Sequence, residues 1–212
     1  MIQAVISDFG GVITNPLMEG FTRAHAELGI AVEDLGKAMG IAAERNHEPP
    51  LWTLERGQLT EPEFLGELEA ILTEIIGEPV ELDGYGRRLM EALEPNTPLL
   101  DYYRRLRDEQ GIRLAVLTNN VREWQPIWRP RFKIDELFEL VVDSAFEETR
   151  KPEPRIYEIT LERLGLEAGD CAFIDDVDVN VTAANELGLH GIHFRTTDQV
   201  IAELDALENA SP

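Results

Sequence analysis

Residues 2–12 read Ile2-Gln3-Ala4-Val5-Ile6-Ser7-Asp8-Phe9-Gly10-Gly11-Val12. An aliphatic run of this kind predicts a strand buried on both faces. It stops at an acid followed by two glycines, so the chain turns just where a carboxylate appears. Four similar runs follow: RLAVLTN from 113, LVVDS from 140, CAFIDD from 171 and GIHFR from 191. Helical patterns separate the later runs. One covers Pro98 to Leu106, with Thr97 as N-cap and Pro98 in the first turn. A second starts near Pro154, carries Ile156, Tyr157, Ile159, Leu161 and Leu164, and stops at Gly165. A third follows Val177, with Val181, Ala184 and Leu187 on one face before Gly188. Strands alternating with helices predict an α/β fold built on a doubly wound parallel sheet.

Residues 15–94 break that rhythm. They hold no convincing strand but several helical segments, among them Phe21-Ala24-Leu28 and Phe64-Leu65-Leu68-Ile71-Leu72, punctuated by Pro49-Pro50, Gly57 and Pro79. An all-helical insertion directly after the first strand predicts a small cap over the sheet's edge. The expected organisation is a core of residues 1–14 and 95–212 with a helical cap of residues 15–94.

Composition narrows the classes of function. Of 212 residues, 43% are hydrophobic, enough for a buried core, and no apolar run reaches the ~18 residues a membrane span needs. The opening residues lack a basic segment, which argues against a signal peptide. Cys171 is the sole cysteine and sits in a strand-like run, so a buried thiol and a reducing cytoplasm are expected. A net charge of −22 argues against nucleic acid and repels anions at long range. An anionic substrate therefore needs a local basic or metal-containing spot.

Three strands end in chemically telling residues: Ser7-Asp8, Leu117-Thr118-Asn119-Asn120 and Ile174-Asp175-Asp176, while Lys151 follows the third strand in Arg150-Lys151-Pro152-Glu153-Pro154. Ligands of open parallel sheets sit outside the carboxyl ends of the strands, so these groups can surround one pocket. Taken singly, Thr118-Asn119 and Asp175-Asp176 read equally well as helix caps and Lys151 as a solvated lysine. Their joint order decides otherwise. From Ile2 to about Phe194 the chain resembles the haloacid dehalogenase superfamily, in the cap-bearing branch that includes the phosphatase domain of soluble epoxide hydrolase.

The resemblance implies a Rossmann-like core and a small-molecule phosphate ester as substrate. It implies Asp8 as a nucleophile forming an aspartyl-phosphate, with Thr118, the Asn119 amide and Lys151 binding the phosphoryl group. It implies Mg²⁺ held by Asp8, the Gly10 carbonyl and Asp176, with Asp175 as neighbouring or water-mediated ligand. Close carboxylates repel unless a cation and a lysine sit among them, which agrees with this division of roles.

The sequence departs from the family pattern at two places. Gly10 stands where a second Asp usually protonates the leaving oxygen, a contribution typically worth ~10²–10⁴-fold. Asn180 stands where many members have a further Asp, and is expected to orient Asp176 or metal-bound water. A substitute acid could come from His25, His47, Glu48 or Glu55, the last in a Glu55-x-Gly57 segment similar to a recurrent cap segment of the branch. Trp124 and Trp128 are expected in the core. Competing readings are a 2-haloacid dehalogenase, which needs neither metal nor second Asp, a phosphonatase using Lys37, and a regulator that binds phosphate without turnover. Monomer and homodimer both remain open.

Overall fold

The computed structural model describes residues 2–209, apart from the side chains of His25 and Glu27. Five parallel strands lie in the order β3-β2-β1-β4-β5. They are β1 (Ala4–Ser7), β2 (Arg113–Thr118), β3 (Leu140–Asp143), β4 (Cys171–Asp175) and β5 (His190–His193). Each of the five apolar runs forms one strand. Alternate residues face two separate cores. Val5, Leu114, Val116, Ala172 and Ile174 join one, while Ala4, Ile6, Ala115, Leu117 and Phe173 join the other. Burial on both faces is why these runs lack polar alternation.

Between β1 and residue 95 come five α-helices, α1 (Leu17–Leu28), α2 (Val32–Asn46), α3 (Pro50–Glu55), α4 (Glu61–Ile76) and α5 (Tyr85–Ala92). No strand occurs between residues 15 and 94. The start of α4 is fixed by a reciprocal cap. Thr60 accepts from the Glu63 amide, and the Glu63 carboxylate accepts from the Thr60 amide. Phe64, Leu68, Ile71 and Leu72 form its buried stripe, and Gly77 ends it. The chain leaves the sheet and returns to it at one point. Thr14 and Pro95 form an isolated antiparallel bridge, flanked by Asn15 N–H to Glu94 O and Asn96 N–H to Ile13 O.

Helix α6 (Thr97–Gln110) then leads into β2. Its N-cap is Asn96, not the expected Thr97: the Asn96 side chain accepts from the Leu99 amide and is itself tied to the Thr197 hydroxyl. Both residue types cap well, so only the tertiary turn decides between neighbours. Helices α7 (Gln125–Arg131) and α8 (Ile134–Leu137) connect β2 to β3. The remaining helices are α9 (Pro154–Leu164), α10 (Asp178–Glu186) and α11 (Thr197–Asn209). Trp124 and Trp128 are buried, as expected, and so is Cys171. No helix among the described residues is long and apolar enough to cross a membrane.

Asp143, at the end of β3, is buried, and burial lifts its carboxyl to about 6 against the opposing bonds from the Ala145 amide and Gln125. The native state therefore holds this proton more tightly than the unfolded chain. Its stabilising effect is complete below the ordinary carboxyl pKa and is lost as pH rises through about 6. Asp143→Asn is expected to gain on the order of 2 kcal/mol at pH 7 and about half that at pH 5. Denaturant titrations at the two pH values check this; a gain independent of pH would refute the assignment.

Candidate active site

β1 is the central strand, with β2 on one side and β4 on the other. The chain switches sides of β1 between β3 and β4, so the carboxyl ends of β1, β2 and β4 border one crevice. Asp8 sits at this switch point, anchored by its amide to the Ile174 carbonyl at 2.8 Å. The next residues make a wide turn closed by the Thr14 amide to Phe9 O. Gly11 adopts φ 84°, and a Cβ there would stand 2.3 Å from Oδ2 of Asp176. Both the left-handed backbone and the close carboxylate require glycine.

Lys151 reaches this point from the loop after β3. Only 1% exposed, its ammonium donates to Asp8 Oδ1 at 2.6 Å, Asp175 Oδ2 at 2.6 Å and the Leu117 carbonyl at 2.9 Å. All three of its hydrogens thus find acceptors, as a buried ammonium requires. Burial alone would lower its pKa, but Asp175 and Asp8 outweigh that and raise it. Asn119 positions the lysine's backbone: its side-chain oxygen accepts from the Lys151 amide at 2.8 Å, and its amide donates to Lys151 O at 3.0 Å. Thr118 is buried at the end of β2 and borders the same cavity.

Asp175 is fully buried and held by three donors: the Lys151 ammonium, the Val177 amide and the Asn180 side-chain amide, the last 3.1 Å from both its oxygens. Asn180 therefore holds Asp175, not Asp176 as expected, because one turn of α10 brings it back over the strand end. Asp176 is the more exposed of the pair. Oxygens of Asp8, Asp175 and Asp176 all lie within 4.8 Å of one another. Burial, followed by Lys151 in opposition and then Asp175 and Asp176, puts the Asp8 carboxyl at about 7. Burial and Asp175 also raise Asp176. Once all three acids are ionised, one ammonium leaves two negative charges uncompensated, which suits a divalent cation bound through oxygen.

The haloacid dehalogenase-like hydrolase family model matches residues 2–188. The chain belongs to this family. A sesquiterpene phosphatase of Aspergillus oryzae is 27% identical over 97% of this chain and 96% of its own length. The mouse acyl-CoA dehydrogenase family member 10 is 30% identical over 72% of this chain, which spans only 14% of that protein. A structure described as a predicted hydrolase of the family, from Porphyromonas gingivalis, superposes with a TM-score of 0.66 at 25% identity, covering 96% and 98% of the two chains. The epoxide hydrolase branch is represented too: rat bifunctional epoxide hydrolase 2 is 23% identical over 96% of this chain, which spans 38% of that protein.

At Gly10, where the resemblance leads one to expect a second acid, Leu17 borders the backbone. A Cβ on Gly10 would meet Leu17 Cδ1 at 2.9 Å, although the backbone there (φ −76°, ψ 119°) admits any residue. Of the four substitute acids, Glu55 borders the cavity. It accepts from Arg150 at 2.6 Å, and burial raises its pKa against that arginine. Glu48 accepts from Thr53 and Arg56, His47 is exposed away from the cavity, and the side chain of His25 lies outside the described residues. Sequence reasoning missed Arg150, which pairs with Glu55 and lies over the Trp52 ring at 5.0 Å, and Leu17. The adjacency of Arg150 to Lys151 was the available signal for the first.

Proposed function

We propose that the chain is a Mg²⁺-dependent phosphomonoester hydrolase with Asp8 as nucleophile. The observation that carries this reading is the buried Lys151 ammonium held between Asp8 and Asp175, with Asp176 alongside. Asp8, Asp176 and the Gly10 carbonyl would hold the cation, with Asp175 next to it. When bound, Mg²⁺ supplies positive charge to the phosphoryl oxygens and to the acid cluster.

Lys151 orients the Asp8 carboxylate, and one Asp8 oxygen bonds to phosphorus as the ester P–O bond breaks. The alcohol oxygen leaves with the electron pair. The Thr118 hydroxyl and the Asn119 backbone amide donate to phosphoryl oxygens, and Lys151 balances the charge there. Water then attacks the aspartyl-phosphate, releasing inorganic phosphate and restoring Asp8. Identity to a phosphatase over nearly the whole of both chains supports a small-molecule phosphate ester as substrate. We read residues 15–94 as a cap on a core of 1–14 and 95–212. The single crossing at Thr14 and Pro95 supports that division, as do ion pairs from Glu55 to Arg150 and from Arg56 to Glu153. The single buried thiol is compatible with a cytoplasmic setting.

The test is inorganic phosphate release from 4-nitrophenyl phosphate. Activity is expected with Mg²⁺ and is expected to vanish in EDTA. Chelator-insensitive halide release from a 2-haloacid, with no phosphatase activity, would establish the dehalogenase reading instead.

Gly10 makes a second prediction. Lacking an acid there, the enzyme is expected to cleave aryl phosphates, whose phenols leave readily, much faster than alkyl phosphates. Restoring the acid requires room as well as charge, because Leu17 fills the seat. Gly10→Asp combined with Leu17→Ala is expected to raise alkyl phosphate hydrolysis ~10²-fold. Gly10→Asp alone is expected to gain less, since Leu17 must swing outward. Equal kcat on both ester classes in the unaltered protein would show that another acid already serves.

A further inference from the structure

The cavity above Asp8 measures about 710 Å³ and is bounded by helices of the 15–94 segment. That volume is far larger than a phosphoryl group and suits a leaving group of drug-like size. Its walls are set by Phe21, Leu51, Trp52, Leu89, Met90 and Trp124. At the acidic end the methyl groups of Leu17 stand against Gly10, so apolar surface reaches the point where the leaving oxygen would lie. The apolar character also continues outward. Among the described residues, eight large hydrophobic side chains are exposed, and four of them (Leu17, Trp52, Val177 and Val179) border this one cavity. On a chain with a net charge of −22, that clustering marks a binding surface.

Most of the polar side chains of the cavity already have a partner within the protein. Arg56 is paired with Glu48 and Glu153, and Arg150 with Glu55. Asn119 is bonded to the Lys151 backbone, Asn120 accepts from the Val121 amide, and Asn180 donates to Asp175. A sugar, nucleoside or second phosphate would bring hydroxyls or charge against walls that are mostly apolar and whose polar groups are for the most part committed to one another. A hydrocarbon or aromatic group makes no such demand.

We propose that the cavity takes the leaving group of a phosphate monoester of an apolar alcohol, one that carries a single phosphate and few other polar atoms. This rests on the phosphatase reading and specifies its substrate class. The phosphate lies at Asp8, Thr118 and Lys151, and the apolar body lies between Phe21, Trp52 and Met90, with the exposed Val179 also bordering it. Recognition is then mostly hydrophobic and appears in KM more than in kcat.

The experiment compares two phenolic esters of similar leaving-group acidity, 4-heptylphenyl phosphate and O-phosphotyrosine, under the same Mg²⁺ conditions and below the micelle concentration of the first. The expected kcat/KM is ~10²-fold higher for the heptylphenyl ester, carried by KM, since each buried methylene favours binding several-fold. Trp52→Ser with Val179→Ser replaces two exposed side chains. It is expected to cut that preference about tenfold with unchanged melting temperature. Equal kcat/KM for the two esters overturns the substrate class and leaves the phosphatase standing. A preference for phosphotyrosine overturns it as well. Hydrolysis of neither ester, with Mg²⁺ present, overturns the phosphatase reading itself and this inference with it.

Discussion

Asp8→Asn is expected to reduce phosphate ester hydrolysis by ~10⁴-fold or more while leaving the melting temperature unchanged or up to ~4 °C higher. The loss follows from the chemistry: an amide oxygen cannot form the acyl-phosphate bond that splits the reaction into two easier steps. The stability side follows from the surroundings. Asp8 is buried, shares one ammonium with Asp175 and faces Asp176, so burial and like charge both work against its ionised form. Asparagine removes one of the three acids, and its side-chain oxygen can still accept from Lys151. Lys151 keeps Asp175 as counterion at 2.6 Å. Function and stability are therefore opposed at this residue, as at sites that hold charge ready for reaction. Calorimetry with phosphate release checks both halves. Activity within tenfold of the unaltered protein would remove Asp8 from the nucleophile's role, and a melting temperature lowered by several degrees would contradict the electrostatic account.

The parts of this site that sequence exposes are those fixed by strand ends. Asp8, Thr118, Lys151, Asp175 and Asp176 follow runs that bury on both faces, and topology alone brings the ends of β1, β2 and β4 together. The five strands and the strandless 15–94 segment were legible for the same reason: hydrophobic periodicity is local. What sequence hides is direction and occupancy. Asn180 was visible beside Asp175 and Asp176, yet only the fold shows that it bonds Asp175. Asn119 was visible after Thr118, yet its side chain is spent on the Lys151 backbone. The missing acid at Gly10 was plain, but Leu17 in its place was not, since seven residues and a turn of irregular backbone separate them. The pairing of Glu55 with Arg150 spans 95 positions and depends on how α3 meets the loop before Lys151.

Lys151→Met is expected to be the most damaging single change, because it strikes stability and activity together. Methionine matches the lysine stem in length and packs acceptably in the same channel, so the effect isolates the charge. Asp8 and Asp175 would then be buried 7% and 0% exposed with no counterion, and Asp176 adds a third negative charge within 4.8 Å. Removing one partner of a buried pair commonly costs about 3–5 kcal/mol. For a chain of this size that corresponds to a melting temperature lower by ~10 °C. Hydrolysis is expected to fall by ~10³-fold or more, since the transferring phosphoryl group loses its balancing charge. Two measurements separate this from a generally damaged core. Asp8→Asn introduced into Lys151→Met is expected to recover about half of the lost stability, because one uncompensated acid has gone; neighbours sharing a network couple in this way. Mg²⁺ is expected to raise the melting temperature of Lys151→Met more than that of the unaltered protein, since a ligand that binds only the native state stabilises it and the acids now have no other cation. A variant that unfolds equally with and without Asp8→Asn, and that ignores Mg²⁺, would show that the lysine's stem, not its charge, holds this end of the sheet together.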